Sequence, residues 1–145
     1  MTVHKQIQIV CALIFLGACV QASEPSVFVS DGCSLVPNGS PVGDIDWCSC
    51  CYVHDIAYWM GGTDEQRLAA DVALKACVTE VSDSEALANL MYQGVRLGGS
   101  PYLDTPFRWG FGWGYARKYQ ALTVTEQSIL DDQMAEDQGS ALVCK

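Results

Sequence analysis

Six cysteines spread from Cys33 to Cys144, three of them crowded into Cys48-Ser49-Cys50-Cys51, constrain the fold of this chain more than any other feature. How they are read depends on what precedes them. Met1 to Lys5 carries positive charge, and Ile9 to Val20 is an unbroken apolar run. Val20-Gln21-Ala22 before Ser23 then fits the small-x-small pattern of a signal peptidase site, so residues 1–22 read as a secretory signal peptide. Leu16-Gly17-Ala18-Cys19 offers a competing reading, a lipoprotein signal that ends before a lipid-anchored Cys19. Cys11 and Cys19 fall in this leader, which leaves Cys33, Cys48, Cys50, Cys51, Cys77 and Cys144 in the mature chain. An even number of cysteines in an oxidising compartment implies three disulfides, but spacing alone does not choose their connectivity.

A chain of 145 residues is a single domain, here residues 23–145. Its formal net charge of -9 argues against nucleic acid and against purely electrostatic adsorption to anionic membranes. An acidic chain can still hold a divalent cation, or meet an interface through aromatic residues.

Asp31 to Gly43 reads as a loop rich in Gly, Pro and Asn, long enough to be either functional or tied down, and Cys33 within it points to the latter. Asp44 or Asp46 can cap a helix running from Trp47 to Met60, with Gly61-Gly62 ending it. Trp47, Cys51, His54 and Tyr58 share one face of that helix, and Asp55 points beside His54. Thr63-Asp64-Glu65-Gln66 is a capping box that opens a second, antiparallel helix with a predicted apolar stripe of Leu68, Val72, Cys77 and Val81. Ser82-Asp83-Ser84-Glu85 reads as a second capping box before a third helix, and Thr123-Val124-Thr125-Glu126 as a third before a last one. Between them Tyr102 to Tyr115 is irregular and dense in aromatics. It reads either as a packed loop over the core or as a rim for a lipid interface. The fold class is mainly α.

His54 and Asp55 are the candidate chemistry. Cys48, Cys50, Cys51 and His54 have the residue types of a zinc site, but export favours their oxidation. A lone histidine on an apolar helix face is commonly structural. Here Asp71 on the neighbouring helix can accept from one ring nitrogen and leave the other as a general base acting on water. Asp55, beside a loop of backbone carbonyls, has the oxygen chemistry of a calcium ligand.

Cys50-Cys51-x-x-His54-Asp55-x-x-Tyr58 resembles the active-site helix of the secreted phospholipase A2 family. Gly32-Cys33 is similar to its calcium loop, and Asp71-x-x-Leu74-x-x-Cys77 to its second long helix. The resemblance covers residues 31–81. It implies a phospholipase A2-like fold of two antiparallel disulfide-linked helices, a calcium loop and further helices. It implies pairs Cys33–Cys51 and Cys50–Cys77, leaving Cys48–Cys144. It implies His54, Asp71 and Tyr58 as catalytic residues, and calcium held by Asp55 with carbonyls near Gly32, Ser34 and Val36. The implied activity is calcium-dependent hydrolysis of the sn-2 acyl ester of glycerophospholipids at a membrane or micelle interface. The alternative is a non-catalytic protein of the same fold that binds lipid, calcium or a protein. Ser34-Leu35-Val36-Pro37 replaces the family's glycines, Ala57 stands at a common cysteine, and Gly61-Gly62 leaves no room for a hairpin. These departures make the chain more similar to the small microbial and viral members.

Overall fold

The computed structural model describes residues 24–136 and 143–144. The signal peptide or lipoprotein signal expected over residues 1–22 lies outside them, as does most of the C-terminal tail. Among the described residues there are four α-helices: α1 (Cys48–Met60), α2 (Asp64–Ser82), α3 (Glu85–Gly98) and α4 (Val124–Glu136). There is no strand among them, only an isolated bridge between Gly39 and Asp46. No described helix is long and apolar enough to cross a membrane.

Three disulfides are formed, Cys33–Cys51, Cys50–Cys77 and Cys48–Cys144. Disulfides at this density point to an oxidising, extracellular compartment. Cys50 lies in the first turn of α1 and Cys77 near the end of α2, so their bond fixes the two helices antiparallel. Cys33–Cys51 pins the upstream loop to the same turn of α1.

α1 is the central element because it is buried on two sides. Trp47, Cys50 and Cys51 pack with Leu74 and Val78 of α2 and Ala88 and Met91 of α3. Tyr52 and Trp59 pack instead with Phe28, Trp113 and Leu130. Neither Asp44 nor Asp46 is the cap of α1: the N-cap is Trp47, which makes no side-chain cap bond, and Asp46, one residue earlier, accepts from the Cys48 amide at 2.7 Å. The aromatic segment closes its other end. Gly110 donates to the Tyr58 carbonyl, Gly112 to that of Trp59, the Trp113 indole to that of Met60 and the Trp109 indole to that of Gly62. These bonds satisfy carbonyls that a helix end leaves orphaned. Gly61 turns with φ 71°, and a Cβ there would strike the Gly110 backbone, so the approach needs glycine at 61, while Gly110 needs it for its own φ of 72°. For Trp109 and Trp113 the packed-loop reading holds, whereas Tyr102 and Tyr115 remain exposed.

The α2 capping box forms as the sequence predicts, with Thr63 and Gln66 each accepting from the other's backbone amide. The predicted stripe does not hold. Leu68, Val72 and Val81 are exposed, and the buried face is Arg67, Asp71, Leu74 and Val78. The helix is rotated because Asp71 and Arg67 find charged and phenolic partners inside, which outweighs the burial of three aliphatic side chains. The N-cap of α3 also differs. It is Ser84, accepting from Leu87, because α2 runs on through Ser82.

The third box forms at α4. Thr123 and Glu126 exchange bonds, and Glu126 also takes a two-pronged bond from Arg117 at 2.6 and 3.0 Å. The Arg117 guanidinium lies 4.1 Å above the Trp113 ring. Arg117, then burial acting in the opposite sense, then Thr123 set the Glu126 carboxyl, which falls from 4.5 to about 2. A carboxyl lower in the folded than in the unfolded chain stabilises fully above about 4.5, and that stabilisation is lost as pH falls through about 2. Glu126→Gln is therefore expected to cost about 1–2 kcal/mol at neutral pH. Urea unfolding at a series of pH values should show the gap between variant and wild type closing over that acidic window. An unchanging gap would contradict this assignment.

Candidate active site

Asp71 is fully buried. Its Oδ1 sits 2.8 Å from His54 Nε2 and accepts from the Tyr58 hydroxyl at 2.8 Å. Its Oδ2 accepts from Arg96 Nη1 at 2.7 Å, with Arg67 Nε at 3.9 Å. Burial pushes the Asp71 carboxyl up, but the bonds from His54, Arg96 and Tyr58 outweigh it and hold the group below the ordinary carboxylate range. An ionised carboxylate only accepts, so His54 Nε2 carries the hydrogen. That assigns the tautomer and leaves Nδ1 for the cavity His54 lines.

Arg67 builds the back of this network. Its Nε donates to the Tyr58 hydroxyl at 3.0 Å, its Nη1 to Tyr119 at 2.7 Å, and its Nη2 to the carbonyls of Val95 and Arg96. It thus closes the end of α3 while fixing the phenol. Burial and the Asp71 charge push the Tyr58 hydroxyl up, so it stays a donor to Asp71. Arg67 and Arg96 are not among the site residues expected from the sequence. Arg67 precedes Asp71 by one helical turn, a spacing that signals an ion pair. Arg96 lies 25 residues from Asp71, and no local pattern announces it.

The cavity in front of His54 has a volume of about 230 Å³. Gly32, Ser34, Val36, His54, Asp55 and Tyr58 all line it, so the structure brings the expected loop and helix positions to one place. Its remaining wall is largely apolar, with Leu74, Met91 and Phe107. A second hollow of about 270 Å³ shares Ser34, Asp55 and Phe107 with it and is lined also by Ser30 and Asp31.

The loop reaches this position without the glycines that the family pattern carries. Gly32 has φ 80°, and a Cβ there would strike the Asn38 side chain. Asn38 Oδ1 accepts from the Cys33 amide at 2.7 Å, and Trp47 clamps the loop's return by donating to the carbonyls of Pro37 and Asn38. Leu35 takes φ 67° and stands 90% exposed, a left-handed conformation that costs a leucine about 1–2 kcal/mol.

Asp55 accepts from the Ser30 hydroxyl at 2.6 Å. Burial raises its carboxyl, the Ser30 bond lowers it and the Asp31 charge raises it again, leaving it pushed up to about 7. No Lys or Arg lines either hollow. The donor set fits a hard cation in kind: a carboxylate without a cationic partner, hydroxyls, and a loop of backbone carbonyls. Among the described residues no three His, Cys, Asp or Glu side chains cluster to hold a metal. Any such ion would therefore depend on carbonyls for most of its ligands. Comparison of the chain with protein-family models, with curated proteins and with solved structures finds no match.

Proposed function

We propose that this chain is a secreted, calcium-dependent hydrolase of the phospholipase A2 kind, cleaving the sn-2 acyl ester of a glycerophospholipid. The observation that carries the reading is the commitment of His54 Nε2 to buried Asp71 while His54 and Asp55 line the same apolar-walled cavity. His54 Nδ1 is then the base that takes a proton from water as the water attacks the ester carbonyl. The proton passes to the leaving glycerol oxygen when the tetrahedral intermediate collapses. Asp71 holds the ring in the tautomer that makes this possible and offsets the imidazolium that forms. Tyr58 and Arg67 keep Asp71 from turning. Asp55 with the carbonyls of Gly32, Ser34 and Val36 would hold the calcium ion. When bound, that ion supplies positive charge to polarise the ester carbonyl and to offset the oxyanion. The apolar wall of Leu74, Met91 and Phe107 is suited to an acyl chain.

The test is product analysis on a phosphatidylcholine whose two acyl chains differ. The sn-2 fatty acid and the 1-acyl lysolipid are expected. Release of the sn-1 chain, or of neither, rejects the reading in favour of another hydrolase or of a non-catalytic binder.

Leu90 lines the cavity from α3 and is 65% exposed. If the mouth seats on lipid, Leu90→Ser is expected to weaken vesicle binding about tenfold, since burying a leucine is worth about 1.5–3 kcal/mol. The thermal midpoint should not move. Co-sedimentation with phosphatidylcholine vesicles checks this, and unchanged binding would place the contact on another face.

A further inference from the structure

The distribution of charge over the surface bears on which lipid the site meets. None of the six Lys and Arg residues within 24–136 is exposed. Arg67 and Arg96 are locked behind the cavity on Tyr58 and Asp71. Arg108 donates to the Trp113 carbonyl at 2.7 Å and lies over the Tyr115 ring. Arg117 is held by Glu126 and Trp113. Lys118 Nζ donates to the Pro101 carbonyl at 3.0 Å with its charge 3.1 Å from the Tyr115 ring centre. Lys75 sits over Tyr92. Acidic side chains show the opposite pattern. Asp31, Asp44, Asp64, Glu85 and Asp104 stand in solvent; Asp55 lines the His54 cavity, and Asp31 lines the neighbouring hollow that shares Asp55. Apolar side chains complete the mouth, Leu35 and Leu90 both largely exposed.

We infer that the surface this site works on is a zwitterionic phospholipid layer, such as phosphatidylcholine, and not an anionic one. The inference rests on the phospholipase reading for its substrate and on the charge distribution for its headgroup. An anionic lipid surface attracts free cations and repels free carboxylates, each by a comparable amount when within a screening length. On the described surface the fully exposed charges are carboxylates, while the cations are at most partly exposed. Apolar contact from Leu35 and Leu90 is unaffected by headgroup charge, so it supports docking where repulsion is absent. Of the cations of the 102–119 segment only Arg117 is neutralised, by Glu126; Arg108 and Lys118 keep their charge but are only partly exposed and are outnumbered by the exposed carboxylates.

The experiment measures binding of the full mature chain carrying His54→Gln, so that no lipid is consumed. The probes are phosphatidylcholine vesicles and vesicles of phosphatidylcholine mixed with phosphatidylglycerol. A chelator is present, so calcium does not bridge acidic protein to acidic lipid. Binding to the neutral vesicles is expected to be at least about tenfold tighter near 0.01 M salt, and the ratio should fall toward one near 1 M, where the screening length shrinks from about 30 to about 3 Å. Asp104→Lys should narrow the low-salt ratio without changing binding to neutral vesicles. Equal or tighter binding to the anionic vesicles at low salt overturns the inference, and so does failure to bind neutral vesicles. Wild-type turnover in calcium is read separately. Headgroup-selective binding without fatty-acid release on either vesicle would reject the phospholipase reading and leave the preference standing.

Discussion

Asp71→Ala is expected to lower the free energy of unfolding by about 3–5 kcal/mol, more than any other single polar substitution in the molecule. The carboxylate is fully buried and anchors four groups: His54, Tyr58, Arg96 and, more loosely, Arg67. Arg67 is itself only 3% exposed. Truncating Asp71 therefore leaves a guanidinium inside the molecule with its charge uncompensated, and the cost is that unpaired charge more than the lost bonds. Asp71→Asn retains the shape and an accepting oxygen, so it should lose less. Urea denaturation of the three proteins with disulfides intact measures this. A loss under about 1 kcal/mol for Asp71→Ala would mean that water or rearranged side chains satisfy the arginines, and that the network does not hold α1, α2 and α3 in register.

His54→Gln should separate chemistry from folding. Glutamine keeps an amide that can donate to Asp71 Oδ1, so the thermal midpoint should shift by less than about 5 °C. It has no ionisable nitrogen to take a proton from water, and fatty-acid release should fall by about 10²- to 10⁴-fold. The loss is expected in kcat, with lipid binding retained, because Nδ1 in the proposed role acts only as the transition state forms. A variant with both rate and stability near wild type would leave His54 as a buried histidine without a catalytic role.

The parts of this structure legible in the sequence are those written in local chemistry. Capping pairs at Thr63 with Gln66 and at Thr123 with Glu126 open α2 and α4 where the pattern places them. The Gly61 turn ends α1, and the buried face of Trp47, Cys51, His54 and Tyr58 follows from helical periodicity. The three cysteine pairs that the resemblance implied are the ones formed. The elements that local pattern places wrongly depend on distant partners. The exposed stripe of Leu68, Val72 and Val81 looks like a core face until Asp71 is known to have Arg96 and His54 waiting for it. Counting hydrophobic residues cannot rotate the helix correctly, because a fully satisfied buried carboxylate decides the rotation. Leu35 is a second case. Its left-handed backbone is imposed by a loop clamped through Cys33, Asn38 and Trp47, and nothing in leucine's own preferences predicts it.

His54 and Asp55 are proposed to work together on a phospholipid ester. The most direct measurement of this proposal is the initial rate of fatty-acid release from phosphatidylcholine vesicles by the wild-type chain, taken in calcium and again in excess chelator. The expected result is steady release of the sn-2 acid in calcium and a fall to background with chelator, restored when calcium is added back. No release in calcium, or the same rate with and without chelator, would contradict it.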